Sequence, residues 1–96
     1  MRILLVEDEE NIREVVKLNL EMEDYEVITT DNGRDAINLF HEQHFDLLIL
    51  DVMLPGIDGF QICEQVRLTN LDVPIIFATA KDTAPDRIQG LSLIHI

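Results

Sequence analysis

Apolar residues fall along this chain in two rhythms that take turns. Short unbroken runs, Ile3-Leu4-Leu5-Val6, Leu47-Leu48-Ile49-Leu50 and Ile75-Ile76-Phe77-Ala78, alternate with stretches in which apolar positions recur every three or four residues. The runs predict strands over 2–6, 46–50 and 73–78, the last entered through Pro74, with a further strand over 25–30 closed by Asp31-Asn32-Gly33. The periodic stretches predict helices. Ile12, Val15, Val16 and Leu20 define one over 11–23. Ala36, Ile37 and Phe40 define one over 34–44, capped by Asn32 with Asp35 three residues on. Ile62, Cys63 and Val66 define one over 59–68, capped by Asp58, and a fourth begins over 83–90 behind Thr83.

Strand and helix therefore alternate four times. That order predicts an α/β domain with a doubly wound parallel sheet covered by helices on both faces and joined by right-handed crossovers. Strands buried on both faces should be nearly continuous apolar runs, as the first, third and fourth are. With strand order 2-1-3-4, the order reverses between strands one and three, and ligands in such sheets sit at the carboxyl ends beside that reversal.

Both of those strands end in acid. The first runs into Glu7-Asp8-Glu9, and the third into Asp51 and the turn Val52-Met53-Leu54-Pro55-Gly56-Ile57-Asp58-Gly59; the fourth ends at Thr79. Sheet geometry gathers Asp8, Asp51 and Thr79 although they are far apart in the chain. Carboxylates held together repel unless a cation neutralises them, and hard oxygen ligands suit Mg²⁺. Asp8 and Asp51 are candidate direct ligands, Glu7 a ligand through water, and the Met53 carbonyl a backbone ligand. A carboxylate beside a metal can itself be a nucleophile for phosphoryl transfer, which depends mostly on positioning and charge neutralisation. Asp51 is placed for that role, and the Thr79 hydroxyl for a hydrogen bond to the new phosphoryl oxygens. Glu9, Glu10, Pro55, Gly56 and Gly59 read as structural, His41, His44 and His95 as surface residues, and Cys63 as core.

Composition narrows the classes. The chain has 96 residues, enough for one small domain, and its single Cys63 excludes an internal disulfide and fits a reducing cytoplasm. No apolar run is long enough to cross a bilayer, and the amino terminus lacks a signal-peptide pattern. With 19 acidic against 7 basic residues the net charge is −12, so a phosphate backbone would be repelled and direct nucleic-acid binding by this domain is not expected. A Ca²⁺ loop starting at Asp51 fails, with Met53, Pro55 and Ile62 at ligand positions. An aspartyl-nucleophile phosphohydrolase would need a second acid where Met53 stands. A dinucleotide or P-loop site would need a Gly-rich loop where the first strand turns into acid.

Ile3–Glu9, Asp51–Gly59 and Pro74-Ile75-Ile76-Phe77-Ala78-Thr79-Ala80 together resemble the receiver domain of two-component response regulators over about residues 2–90, and the Met-Leu-Pro-Gly turn resembles the OmpR/PhoB type. The resemblance implies a flavodoxin-like fold and a phosphoacceptor Asp51 charged by the phosphohistidine of a sensor histidine kinase. It implies Mg²⁺ held by Glu7, Asp8, Asp51 and the Met53 carbonyl, Thr79 as switch hydroxyl, and Ala80 as the small residue beside the phosphoryl group. It implies a signalling module and not an enzyme, with self-phosphorylation and dephosphorylation as its only chemistry. It also implies a cytoplasmic protein, transcription control through a DNA-binding output domain elsewhere, and receiver homodimers in the full-length protein. The rival reading is a pseudo-receiver that binds partners without phosphorylation.

The pattern departs from that family at its end. A fifth strand, a fifth helix and the lysine that follows the fifth strand are expected to be missing, and Lys81 directly follows Thr79-Ala80, in the wrong loop to replace it. Leu91-Ser92-Leu93-Ile94-His95-Ile96 breaks the fourth helical pattern and matches the translation of a transposon-end sequencing adapter. The expected division is a partial receiver over 1–90 and a non-native tail over 91–96. Strand four would then be an exposed apolar edge, prone to self-association.

Overall fold

The computed structural model describes residues 1–79 and 92–95. The first apolar run forms β1 (Arg2–Val6), followed by α1 (Glu10–Met22), β2 (Glu26–Thr30), α2 (Gly33–Glu42), β3 (Leu47–Asp51), α3 (Gly59–Arg67), β4 (Ile75–Thr79) and β5 (Ser92–His95). β2-β1-β3-β4 is the expected order, all parallel, and β5 adds to the far side of β4. The order reverses between β1 and β3, where Val6 is level with Leu50. The fourth helical pattern, over 83–90, and Lys81 lie outside the described residues.

Successive strand side chains point to opposite faces, and they split the core in two. Leu4, Val6, Leu48, Leu50, Ile75 and Phe77 pack with Ala36, Ile62 and Val66 of α2 and α3. Ile3, Leu5, Val27, Ile49 and Ala78 face the other way, toward Val16 and Leu20 of α1. Completely buried residues in β1 and β3 explain why those runs are unbroken: neither face meets water.

α1 departs from its expected packing. Ile12, Val16 and Leu20 are half-buried, but Val15 is 44% exposed and no residue of this helix is fully buried. At about 100° per residue, Val15 stands roughly 60° around the helix from Ile12 and lies with Leu18 and Met22 on a flank the sheet does not reach.

The edge expected at β4 is also corrected. β5 pairs with it antiparallel, Thr79 opposite Ser92 and Ile76 opposite His95, so the backbone groups on that side of β4 are bonded. The strand expected to be missing in the usual, parallel sense is replaced by an antiparallel one from the segment read as a tail, and the outer edge of the sheet passes from β4 to β5.

The caps follow the sequence. Asn32 Oδ1 accepts the Asp35 amide at 2.8 Å. At α3, Asp58 Oδ1 accepts the Gln61 amide while Gln61 Oε1 accepts the Asp58 amide, each at 2.9 Å. Two glycines shape the segment between β3 and α3. Gly56 has φ of +76°, the left-handed region in which a side chain is strained. Gly59 opens α3 directly against the end of β3, where a Cβ would collide with the Asp51 carbonyl oxygen and lie 3.1 Å from the Val52 Cα. His41 and His44 are exposed, with His44 Nε2 2.9 Å from Asp46 Oδ1, and Cys63 is half-buried against the core.

Two substitutions test this account by urea denaturation. Gly59→Ala meets backbone, which cannot swing aside, and is expected to cost on the order of 1–3 kcal/mol. Asp58→Ala removes one half of a reciprocal cap and is expected to cost about 1 kcal/mol.

Candidate metal and phosphoryl-acceptor site

Glu7 follows the last residue of β1, and Asp51 is the last residue of β3. Parallel pairing of these neighbours brings their ends level at the carboxyl edge of the sheet. Glu7, Asp8 and Asp51 each turn one carboxylate oxygen into a common space, all within 4.8 Å of one another. Glu7 and Asp51 are only 3% and 5% exposed, whereas Asp8 is exposed to solvent. The cluster is thus a shallow pocket with two buried walls and one wet one.

Backbone amides hold the two buried carboxylates. The Glu9 amide donates to Glu7 Oε2 at 2.9 Å, and the Met53 amide donates to Asp51 Oδ1 at 3.0 Å. The Glu7 amide in turn donates to the Thr30 carbonyl at 3.1 Å, tying the turn after β1 to the end of β2. Among the described residues no buried side-chain nitrogen or oxygen lacks a hydrogen-bond partner.

These surroundings hold protons on acids. Burial pushes the Glu7 carboxyl up to about 8, the neighbouring Asp51 adds to the shift, and the Glu9 amide opposes it. Asp51 is also raised, chiefly by burial and further by Asp8, against the pull of the Met53 amide and the Glu7 side chain. At neutral pH Glu7 therefore keeps a proton. That is the response of crowded carboxylates with no cation among them, and an all-oxygen donor set of this kind fits a hard divalent ion such as Mg²⁺.

The structure brings together Glu7, Asp8 and Asp51 as the sequence predicts. Met53 is beside them through its amide, with its side chain 55% exposed. Thr79 is the last residue of β4, one position beyond Ala78, which is level with Asp51; its side chain, and Ala80, lie outside the described residues. The sequence pattern misses Arg13, whose Nη1 donates to the Glu7 carbonyl at 3.0 Å. Its only sequence signal is a cation three residues past a run of four acids, Glu7–Glu10, in a chain with 7 basic residues. Glu9, read as purely structural, contributes its amide.

The pH dependence of stability follows with a definite sign. Folding raises the Glu7 carboxyl from 4.5 to about 8, so the folded chain binds more protons between those values. Stability of the metal-free chain is then expected to fall as pH rises from about 5 to about 8, and to level off above. Asp51 contributes in the same direction. Glu7→Gln should flatten this slope, measured by urea denaturation across pH in a chelating buffer.

Comparison with known proteins agrees with this geometry. The response regulator receiver domain family matches residues 3–94. The probable transcriptional regulator ycf27 of Galdieria sulphuraria is 45% identical over 92 residues, covering 96% of this chain and 36% of the relative. Its counterpart from Guillardia theta is 44% identical with the same coverage, so the chain spans about a third of the length of these curated relatives. Among solved structures, the response regulator TrrA of Thermotoga maritima in complex with Mg(2+)-BeF superposes with a TM-score of 0.80 and 44% identity over 82% of this chain and 69% of that one. TrrA in complex with the histidine kinase ThkA gives 0.79 and 40% over 92% and 76%. The non-phosphorylated HemR receiver domain of Leptospira biflexa gives 0.78 and 39% over 93% and 72%. With its fold, its acidic cluster and its sequence in agreement, this chain belongs to the response regulator receiver domain family.

Proposed function

We propose that this chain accepts a phosphoryl group on Asp51 from the phosphohistidine of a sensor histidine kinase. The observation that carries the reading is the meeting of Glu7, Asp8 and Asp51 within 4.8 Å at the point where strand order reverses. A similar protein bound to a histidine kinase, and the same protein bound to Mg(2+)-BeF, support it.

In the transfer, an Asp51 carboxylate oxygen forms the bond to phosphorus as the phosphorus–nitrogen bond of the donor breaks, and the imidazole nitrogen leaves with the electron pair. The Met53 amide occupies Asp51 Oδ1 and so fixes the carboxylate plane, leaving the other oxygen for attack. Mg²⁺, held by Asp8, Asp51 and the Met53 carbonyl with Glu7 acting through water, would supply the charge neutralisation that phosphoryl oxygens need among three acids. Glu7 must give up its proton for that, which its burial resists until a cation is present. The Thr79 hydroxyl would bond the transferred group and Ala80 would leave room for it, so that the hydroxyl's bond is made only in the phosphorylated state.

The module is a phosphoacceptor and not an enzyme in its own right. It works in the cytoplasm, and no helix among the described residues is long and apolar enough to cross a membrane. Its output, in this reading, is transcription control through a DNA-binding domain outside this stretch, with receiver dimerisation in the full-length protein; the names of the curated relatives support the transcriptional part.

Incubation with a small acyl-phosphate donor and Mg²⁺ should add one phosphoryl group by intact-mass analysis, and Asp51→Asn should add none. An unmodified wild type would favour a module that binds partners without phosphorylation. Mg²⁺ affinity, measured by calorimetry, is expected to rise with pH by up to about ten-fold per unit below about pH 8, as the ion displaces the Glu7 proton.

A further inference from the structure

Arg13 lies one turn into α1, half-buried, and the proposed chemistry does not use it. Its Nη1 donates at 3.0 Å to the carbonyl of the peptide that joins Glu7 to Asp8. Glu7 itself is held three ways: its amide donates to Thr30, its side chain accepts from Glu9, and its carbonyl accepts from Arg13. Asp8 is different. Its side chain is exposed, and among the described residues neither a backbone amide nor a cationic side chain donates to it. Its carboxyl meets only those of Glu7 and Asp51, so the anchors on this residue from outside the cluster act through the backbone. A peptide unit is planar, so fixing the Glu7 carbonyl fixes the plane in which the Asp8 Cα lies.

We propose that Arg13 is a positioning residue whose guanidinium, by holding the Glu7 carbonyl, aims the Asp8 carboxylate into the cluster with Glu7 and Asp51. The inference rests on the reading of that cluster as a Mg²⁺ site.

Electrostatics gives the test an unambiguous sign. A guanidinium near three acids repels an incoming cation, so removing its charge and nothing else would tighten Mg²⁺ binding. Losing the anchor on the Glu7–Asp8 peptide acts the other way, because groups that orient metal ligands commonly govern affinity by about ten-fold or more. Arginine holds such a carbonyl better than lysine, since its planar fork is pre-organised.

The experiment is calorimetric titration of the 96-residue chain with Mg²⁺ alone, at low salt, for wild type, Arg13→Met, Arg13→Gln and Arg13→Lys. Arg13→Met and Arg13→Gln are expected to weaken the Kd by about ten-fold, with Arg13→Lys between them and wild type. Metal-free amide spectra should show shifts centred on Asp8 and Glu9. Unchanged or tighter binding by a folded Arg13→Met or Arg13→Gln overturns the proposal. Should Arg13→Met fail to fold by circular dichroism, Arg13→Gln, which is shorter and uncharged but polar, decides on the same terms. A wild type that takes up no Mg²⁺ removes the metal reading itself and this inference with it, whereas equal binding by wild type and variants removes this inference alone.

Discussion

Three carboxylates brought within 4.8 Å of one another is the constraint around which this molecule is organised. No isolated peptide would hold that arrangement, because the charges repel and two of the three groups are withdrawn from water. It persists because the acids are attached to the ends of neighbouring parallel strands whose apolar bodies are almost wholly buried. Hydrophobic burial in β1 and β3 thus outweighs the repulsion at their tips, and the repulsion is relieved locally by a retained proton on Glu7. A cluster of buried and exposed carboxylates of this kind is compatible with a hard divalent cation.

The scaffold near the site is rigid for reasons that can be named. Gly59 lets the first turn of α3 rest directly on the Asp51 peptide, and the reciprocal cap of Asp58 and Gln61 fixes where that turn begins. On the other side, Glu7 is tied to β2 through Thr30 and to α1 through Arg13. Asp8 alone reaches into solvent. The cluster therefore has a fixed wall and an open one.

Charge and exposed apolar surface are distributed unevenly around this pocket. The net charge is −12, yet α1 carries Val15, Leu18 and Met22 exposed on one flank. The helix pattern read from sequence placed Val15 inward. A sheet is narrower than the apolar arc of this helix, so the arc was legible from residue types while its division into covered and uncovered parts was not.

How much was legible can be argued element by element. The sheet order and the meeting of Glu7, Asp8 and Asp51 followed from unbroken apolar runs ending in acid, because a strand buried on both faces has few other sequences open to it. The caps at Asn32 and Asp58 were legible because capping is local. Three features were not: the antiparallel pairing of Ser92–His95 with β4, the exposure of Val15, and the reach of Arg13 back to the Glu7 carbonyl. Each depends on distances between segments that local pattern does not encode. The sequence by itself determined which residues are acidic, which strands are buried and where the turns fall. Only the tertiary structure decided which amides steady each carboxylate and which acid keeps its proton, since those depend on burial and on neighbours supplied by other parts of the chain.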